Sequence, residues 1–240
     1  MIPTVVRHRV LPMIDTIAFD GDDTLWHNES LFSMTQDRFR ALLANHLADP
    51  ADIDRRLLQA ERENLRVYGY GIKGFVLSMI ETAVDLTDGR IGGRDIQSLV
   101  EFGKAMLEHP VDLLDGVQEV VEGLAGRYRL LLVTKGDLFD QESKIARSGL
   151  AGRFDAIEIV SEKDPATYRR LLDRHGVDPA RFVMVGNSVR SDILPVLAVG
   201  GHAVHVPYHV TWAHEVAEPP TENYRRIDSL HGLPPLLAAW

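Results

Sequence analysis

The chain has 240 residues, of which 45% are hydrophobic, a composition typical of a globular protein with one large domain or a core plus a smaller insertion. Its 35 acidic residues outnumber 26 basic ones, and the formal net charge of -9 argues against a nucleic-acid partner. No cysteine is present, which excludes disulfides and thiol catalysis. Residues 1–10 are too polar for a signal peptide, and no apolar stretch is long enough to span a bilayer. We therefore expect a cytoplasmic protein without a membrane partner.

The first predicted strand ends in a concentration of acidic residues. Ile17, Ala18 and Phe19 follow one another without polar alternation, which is typical of a strand buried on both faces. The next residues read Asp-Gly-Asp-Asp-Thr-Leu and place the carboxylates of Asp20 and Asp22 two positions apart. Since open α/β sheets bind ligands at the carboxyl ends of their strands, these acids indicate a reaction or a bound cation. The alternative is a solvated acidic turn, because Gly and Asp are common in turns.

A helical insertion is predicted directly after this strand. From residue 30 to residue 109 the apolar residues recur near helical spacing, and no segment has the pattern of a strand. Within the insertion, Tyr68–Phe75 places glycines between aromatic residues, which predicts a loop that bends close to another group. Tyr70 and Lys73 of this loop are therefore candidate substrate contacts. The alternative is a connection between two helices that packs through its aromatic rings.

Four further strands and two helices are predicted after the insertion. The helices are expected at residues 117–126 and 166–175, and the second ends at Gly176, a typical C-cap residue. Strands that alternate with helices favour a parallel sheet with right-handed crossovers. The strands themselves are apolar runs at residues 129–134, 156–160, 182–186 and 203–206.

These elements predict an α/β fold with two domains. A Rossmann-like parallel sheet core is expected from residues 1–29 and 110–240, with an inserted α-helical cap domain from residues 30–109. Pro110 and the turn at Gly116 are expected to return the chain from the cap to the sheet.

The carboxyl ends of the later strands also carry polar residues. Thr134 and Lys135 end the second strand, and Lys163 follows the third. Asn187 and Asp192 follow the fourth. All four strand ends lie at one edge of a parallel sheet, so these side chains are expected to converge on one crevice with the two acids of the first strand.

In their order and separation, these four short motifs resemble those of the haloacid dehalogenase-like hydrolase superfamily, in the branch whose helical cap is inserted after the first motif. The resemblance implies that Asp20 is a nucleophile that forms an aspartyl-phosphate. It implies that Asp22 protonates the leaving oxygen and then activates water. Thr134 would hydrogen-bond a phosphoryl oxygen, and Lys163 would neutralise the negative charges that meet there.

The resemblance also implies a Mg²⁺ cofactor held by oxygen ligands. The implied ligands are a carboxylate oxygen of Asp20, the backbone carbonyl of Asp22 and the distal acid Asp192. Many relatives have an aspartate where this chain has Asn187. An amide oxygen binds metal weakly or accepts a bond from metal-bound water, and it brings no charge. Asn187 is therefore expected to lower the metal affinity or to leave the ligation to Asp192.

Simpler roles are available for several of these residues. Thr134 suits a strand end through its β-branched side chain, and Lys163 could be a solvated lysine between two acids. Lys135 stands where many relatives have Asn. Its side chain could either contact the substrate or extend into solvent. A zinc-site spacing is absent from the histidines near the carboxyl terminus, which are His202, His205, His209 and His214.

The expected function is a Mg²⁺-dependent phosphohydrolase of a small phosphorylated metabolite. The first alternative is a 2-haloacid dehalogenase, in which the nucleophilic aspartate attacks carbon. Such enzymes resemble this chain except that the second carboxylate of the first motif is replaced, so Asp22 favours phosphate. A phosphomutase on the same fold is the second alternative, and a binding protein that has lost turnover is the third.

Overall fold

A parallel sheet lies at the centre of the described part of the chain. The computed structural model describes residues 14–44, 46, 52–213, 215–220 and 222–240. Its strands are β1 (Thr16–Phe19), β2 (Arg129–Lys135), β3 (Ala156–Val160), β4 (Phe182–Gly186), β5 (His202–His205) and β6 (Arg225–Arg226). Their order in the sheet is β3-β2-β1-β4-β5-β6, and every pairing is parallel. The predicted α/β fold with a Rossmann-like sheet is confirmed.

Strand β1 is buried on both faces in the middle of the sheet. Ile17 lies opposite Leu130 of β2 on one side and opposite Val183 of β4 on the other. Ile17 belongs to the apolar cluster on one face of the sheet and Ala18 to the cluster on the opposite face, which explains the uninterrupted apolar run. The chain runs outward from β1 through β2 to β3 and then returns to β4 on the other side. The carboxyl end of β1 is therefore the switch point at which such sheets bind ligands.

Helices cover both faces of this sheet. In the described residues outside the insertion, the helices are α5 (Val117–Leu124), α6 (Leu138–Arg147), α7 (Pro165–His175), α8 (Leu194–Ala198) and α9 (Leu233–Ala238). Residues of α5 and α9 pack in one apolar cluster, and residues of α7 and α8 pack in the other. Helix α7 has the predicted end at Gly176, whose φ of 62° lies in the left-handed region. At its start, the carboxylate of Asp164 accepts a hydrogen bond from the Thr167 backbone N–H.

The insertion between β1 and β2 is helical, as predicted, and its described residues contain no strand. Its helices bury an apolar cluster of their own that includes Phe39, Leu57 and Met79. The four helices are α1 (Glu29–Leu43), α2 (Ile53–Tyr68), α3 (Ile72–Leu86) and α4 (Gly93–Glu108). The division into core and cap domains stays a prediction, and its residues 1–13 lie outside the described residues.

Two small differences concern the far edge of the sheet. Strand β5 ends at His205, one residue before the predicted end, and β6 was not predicted, because its two exposed arginines have no apolar pattern. Of the helices in the described ranges, none has both the length and the apolarity needed to cross a bilayer.

Candidate active site

Asp20 is held at the carboxyl end of β1 by the sheet itself. Its backbone N–H donates to the Val185 carbonyl of β4 at 2.9 Å, which continues the β1–β4 ladder into the turn. One carboxylate oxygen accepts a hydrogen bond from the Thr24 hydroxyl at 3.2 Å. The side chain is only 9% exposed, and burial raises the pKa of Asp20 above the ordinary range of a carboxyl group.

Lys163 joins two carboxylates in the same place. Its Nζ lies 2.5 Å from Asp20 Oδ1 and 2.8 Å from Asp192 Oδ1. Burial alone would lower the pKa of Lys163, but the charges of Asp192 and Asp20 raise it above its usual value. The lysine is therefore a buried cation between two acids, which excludes the alternative of a solvated side chain.

The oxygen atoms near this lysine suit a hard divalent cation. Asp20, Asn187 and Asp192 line one cavity, and Asp192 also accepts a hydrogen bond from the Ser188 backbone N–H at 2.9 Å. A side chain at Gly186 would place its Cβ 2.2 Å from an Asp192 carboxylate oxygen, so glycine is required there. Among the described residues, no group of three or more His, Cys, Asp and Glu side chains has the arrangement of a metal site. A site of two carboxylates, an amide oxygen and a backbone carbonyl would be consistent with that finding.

Asp22 is held differently from Asp20. Its carboxylate accepts hydrogen bonds from the Trp26 indole N–H at 2.6 Å and the Gln141 amide at 2.9 Å. The Lys144 Nζ donates to both of its oxygens, at 2.8 and 2.9 Å. Burial alone would lower the pKa of Lys144, but Asp22 and Asp140 raise it above its usual value. Asp20 and Asp22 therefore each have their own buried lysine.

Thr134 ends β2 beside these acids and is 1% exposed. Its hydroxyl donates to Gln141 Oε1 at 3.3 Å and lines the same cavity as Asp20. The structure thus brings the strand ends together at one cavity, which Thr134 lines together with Asp20 and Asp22.

Lys135 lines the cavity next to Thr134, and its Nζ donates to the Ser191 hydroxyl at 2.9 Å. It also pairs with Glu215 and lies 4.3 Å from the ring centroid of Tyr70. Burial raises the pKa of Glu215, but Lys135 and the hydroxyls of two serines lower it to below its ordinary value. Lys135 is therefore held at the cavity wall by neighbours from three segments and does not extend into solvent.

Tyr70 also lines the cavity, where its hydroxyl donates to Glu162 at 2.7 Å. Its ring meets the Trp212 ring edge to face, with centroids 5.9 Å apart. Tyr70 lies in a three-residue connection between α2 and α3, whose outer members Gly69 and Gly71 have φ values of 73° and 117°. These left-handed conformations explain why glycine occupies both positions, because a residue with a Cβ is strained there.

The prediction that Lys73 lies on the same loop is wrong. Helix α3 begins at Ile72, so Lys73 is in its first turn. Its Nζ pairs with Asp137 Oδ1 at 2.9 Å, the side chain is 57% exposed, and it does not line the cavity. The glycines between aromatic residues misled the prediction, because Gly74 is helical, and a Cβ there would lie 3.2 Å from the Gly69 carbonyl oxygen.

The histidines do not form a metal site within the part of the chain that the structure describes. His202 and His205 bound β5, and the His209 ring stacks near the Tyr208 ring at 4.2 Å. His214 lies outside the described residues.

The cavity lined by Asp20, Asp22, Thr134 and Lys163 has a volume of about 150 Å³. Four parts of the chain line it: the strand ends of the core with the loops after them, the inner face of α6, the first three helices of the insertion, and a segment that follows β5. The insertion contributes Glu29, Phe32, Glu61, Asn64 and Phe75, and the last segment contributes Val210, Thr211, Trp212 and Glu215.

Several residues that contact the predicted site residues escaped the sequence analysis. Gln141 and Lys144 lie three positions apart on α6, the helix that follows directly after the polar end of β2, and that position was a usable signal. Trp26 directly follows Leu25, the last residue of the first motif. Glu215 reaches the site from a distant segment and has no pattern that marks it.

The sequence matches a known family over most of its length. The family model described as haloacid dehalogenase-like hydrolase matches residues 14–200. Among curated proteins, N-acylneuraminate-9-phosphatase of Mus musculus is 29% identical over 204 residues, covering 79% of this chain and 81% of the relative. The Homo sapiens protein of the same name is 26% identical over 201 residues, with the same coverage of both chains.

Solved structures share this architecture. A haloacid dehalogenase-like family hydrolase from Xanthomonas campestris superposes with a TM-score of 0.85 at 47% identity, covering 94% of this chain and 91% of that chain. The 2-haloacid dehalogenase from Pseudomonas syringae pv. Tomato has a TM-score of 0.64 at 24% identity, covering 95% of this chain and 100% of that chain, and it shows the fold alone. The chain belongs to the haloacid dehalogenase-like hydrolase family.

Proposed function

We propose that this hydrolase is a Mg²⁺-dependent phosphatase that acts on a small phosphorylated metabolite through an aspartyl-phosphate on Asp20. The observation that carries the proposal is the presence of two carboxyl groups with different partners in one cavity. Asp20 lies against Lys163, while Asp22 lies against Lys144, Gln141 and Trp26. Two carboxyl groups in different surroundings suit the separate roles of nucleophile and acid–base.

In the first step, an oxygen of Asp20 attacks phosphorus and the bond from phosphorus to the leaving oxygen breaks. Asp22 gives its proton to that oxygen, so the product leaves as an alcohol. In the second step, a water molecule attacks phosphorus while Asp22 takes a proton from it, and the bond from phosphorus to Asp20 breaks. Free phosphate leaves, and both acids return to their starting protonation.

Positive charge is needed because the nucleophile and the phosphoryl group are both anionic. Lys163 supplies it from within the chain, and the Thr134 hydroxyl can turn from Gln141 to a phosphoryl oxygen. Asp20, Asp192, Asn187 and the backbone carbonyl of Asp22 would hold Mg²⁺, which adds further positive charge at the phosphoryl oxygens when it is bound.

The helical insertion would act as the cap of this enzyme and contact the part of the substrate remote from phosphorus. Its residues line the cavity, but the four reacting side chains all come from the ends of core strands or the segments that follow them. Tyr70 of the insertion and Lys135 of the core are the proposed substrate contacts, since both line the wall.

The experiment is a panel of phosphate esters assayed for phosphate release with Mg²⁺ and with a chelator. N-acylneuraminate 9-phosphate belongs in the panel because the curated relatives carry its name. We expect release from one or more esters with Mg²⁺ and its loss on chelation. Halide release from 2-chloropropionate with no phosphate release would favour the dehalogenase alternative. Transfer of the phosphoryl group to an added sugar would favour the phosphomutase, and inertness in every assay would favour a binding protein.

A further inference from the structure

Helix α6 presents a polar face to the interior of the protein, which is unusual for a helix packed on a sheet. Asp140, Gln141 and Lys144 on this face are 4%, 2% and 8% exposed. Charged and amide side chains are rarely buried unless they have partners, so each partner identifies what this face is for. Gln141 and Lys144 contact Asp22, and Asp140 contacts Lys144.

Lys144 has the larger share of these contacts. Its Nζ donates to both Asp22 oxygens and to Asn28 Oδ1 at 3.2 Å, and it pairs with Asp140 at 3.3 Å. An ammonium group has three N–H donors, and Asp140, within one turn of the same helix, is the more distant of its two carboxylate partners. The two shorter contacts go to Asp22, a residue of the loop after β1, so Asp22 is the main partner of this lysine.

Gln141 links two residues of the reaction. Its Oε1 accepts from the Thr134 hydroxyl at 3.3 Å, and its Nε2 donates to Asp22 Oδ2 at 2.9 Å. The orientation of one amide thus relates the positions of two side chains, one at the end of β2 and one in the loop after β1. Gly136 allows this approach, because a Cβ there would lie 2.8 Å from Gln141 Nε2.

Trp26 closes the third side of the Asp22 carboxylate. Its indole N–H donates to Asp22 Oδ1, and its ring is fully buried. The ring lies so close to the backbone at Gly21 that a Cβ there would approach it to 2.7 Å. Both carboxylate oxygens of Asp22 therefore accept hydrogen bonds from buried donors, two on α6 and one on the loop after β1.

On these contacts we propose that Lys144 is a positioning residue for Asp22, and that Gln141 couples this position to Thr134. The inference rests on the proposed function, in which Asp22 delivers a proton to the leaving oxygen as the phosphorus–oxygen bond breaks. Proton delivery depends on where the carboxyl group stands, so loss of Lys144 impairs the step even though Lys144 transfers no proton.

The test compares two aryl esters with leaving groups of different basicity. Phenyl phosphate has a basic leaving group that needs a proton, whereas the leaving group of p-nitrophenyl phosphate departs readily without one. For Lys144→Met we expect kcat/KM for phenyl phosphate to fall by about 100-fold, and that for p-nitrophenyl phosphate by less than about tenfold. A role confined to folding would lower both values by the same factor and would overturn the assignment.

Arg147→Met is the matched control on the same helix. Arg147 donates to the backbone carbonyls of His109 and Leu107 and makes no contact with Asp22, so its loss should leave the ratio of the two kcat/KM values unchanged. If Lys144→Met does not fold, Gln141→Met serves instead, because it keeps the lysine and removes one donor. We expect the same direction with a smaller change, and an unchanged ratio in Gln141→Met overturns the assignment.

A double variant tests whether Lys144 acts through Asp22. In an Asp22→Asn background, Lys144→Met should cause less than about a threefold further loss on phenyl phosphate, because residues that act as a unit are not additive. A full additional loss would mean that Lys144 acts on the substrate directly. A wild-type enzyme inert towards both esters with Mg²⁺ present would overturn the proposed function and this assignment with it. An active wild-type enzyme with an unchanged ratio in Lys144→Met would overturn the assignment alone.

Discussion

The Nζ of Lys163 lies 2.5 Å from Oδ1 of Asp20, and both side chains are almost completely buried. Asp192 is held by the same Nζ, so removal of the lysine leaves two buried carboxylates without a cation. We expect Lys163→Met to abolish turnover and to lower the free energy of unfolding by about 3 kcal/mol. Urea denaturation at neutral pH measures the change.

The control for this prediction is Lys73→Met, which breaks an exposed ion pair with Asp137. Exposed pairs contribute about 0–1 kcal/mol, so this variant should be nearly as stable as the wild type. Equal stability of the two lysine variants would contradict the role of Lys163 as the cation that holds the site together.

Asn187 gives a prediction about metal affinity. The proposed metal site has two carboxylates, and affinity for a hard cation rises with the number of charged ligands. Asn187→Asp should therefore lower the Kd for Mg²⁺ by about tenfold, measured by isothermal titration calorimetry. Asn28→Asp adds a charge to the same cavity beside Lys144 and should have a smaller effect. Equal or weaker Mg²⁺ binding in Asn187→Asp would remove Asn187 from the metal site.

Tyr70 and Lys73 should differ in their effect on substrate choice. Tyr70 lines the cavity, so Tyr70→Ala should change kcat/KM for the best metabolite by about tenfold more than for p-nitrophenyl phosphate. Lys73 lies outside the cavity, and Lys73→Ala should change neither value by more than about twofold. Tyr70→Phe keeps the ring against Trp212 and removes only the hydroxyl, so it separates the contribution of the hydroxyl from that of the ring. Parallel changes for both substrates in Tyr70→Ala would show that the residue supports the fold and not the selection of substrate.

Two acids of the insertion predict how stability depends on pH. Burial raises the pKa of Glu29 to about 8, with repulsion from Asp23 and Glu61 as further causes, and burial raises the pKa of Glu61 to about 7. The folded protein therefore keeps these protons to a higher pH than the unfolded chain. Their contribution to stability is complete below about pH 4 and is lost as the pH rises through about 7 to 8.

The double variant Glu29→Gln/Glu61→Gln should consequently lose less stability than the wild type between pH 5 and pH 8. Urea midpoints at the two pH values measure the difference, and Glu119→Gln on the exposed side of α5 is the control. An equal change of the urea midpoint between pH 5 and pH 8 in the wild type and the double variant would contradict this prediction. It would mean that the two carboxyl groups have the same pKa in the folded and unfolded states.

Residues at strand ends were predictable because two signals coincide there. An apolar run marks the strand, and the first polar residues after it mark the edge where parallel strands meet; Asp20, Thr134 and Asn187 were found in this way. Lys163 and Asp192 lie a few residues further on; the same argument placed them near the crevice, and the resemblance to a family supplied the roles expected of them.

The support of Asp22 was not predictable by the same means. Helix α6 buries a polar face, so hydrophobic periodicity does not show which side of it packs inward. Glu215 and Trp212 come from a segment without a regular element, and only the folded chain brings them to Lys135 and Tyr70. The position of Lys73 was misjudged because a glycine in the first turn of a helix looks the same in a sequence as a glycine in a loop.

The measurement that tests the central claim most directly is turnover of p-nitrophenyl phosphate with Mg²⁺ by Asp20→Asn. The amide keeps the shape of the side chain and removes the charge needed for attack on phosphorus. We expect kcat to fall by at least about 1,000-fold while the circular dichroism spectrum and urea midpoint show a folded protein. Turnover near the wild-type rate by the folded variant would contradict an aspartyl-phosphate on Asp20 and with it the function proposed for this enzyme.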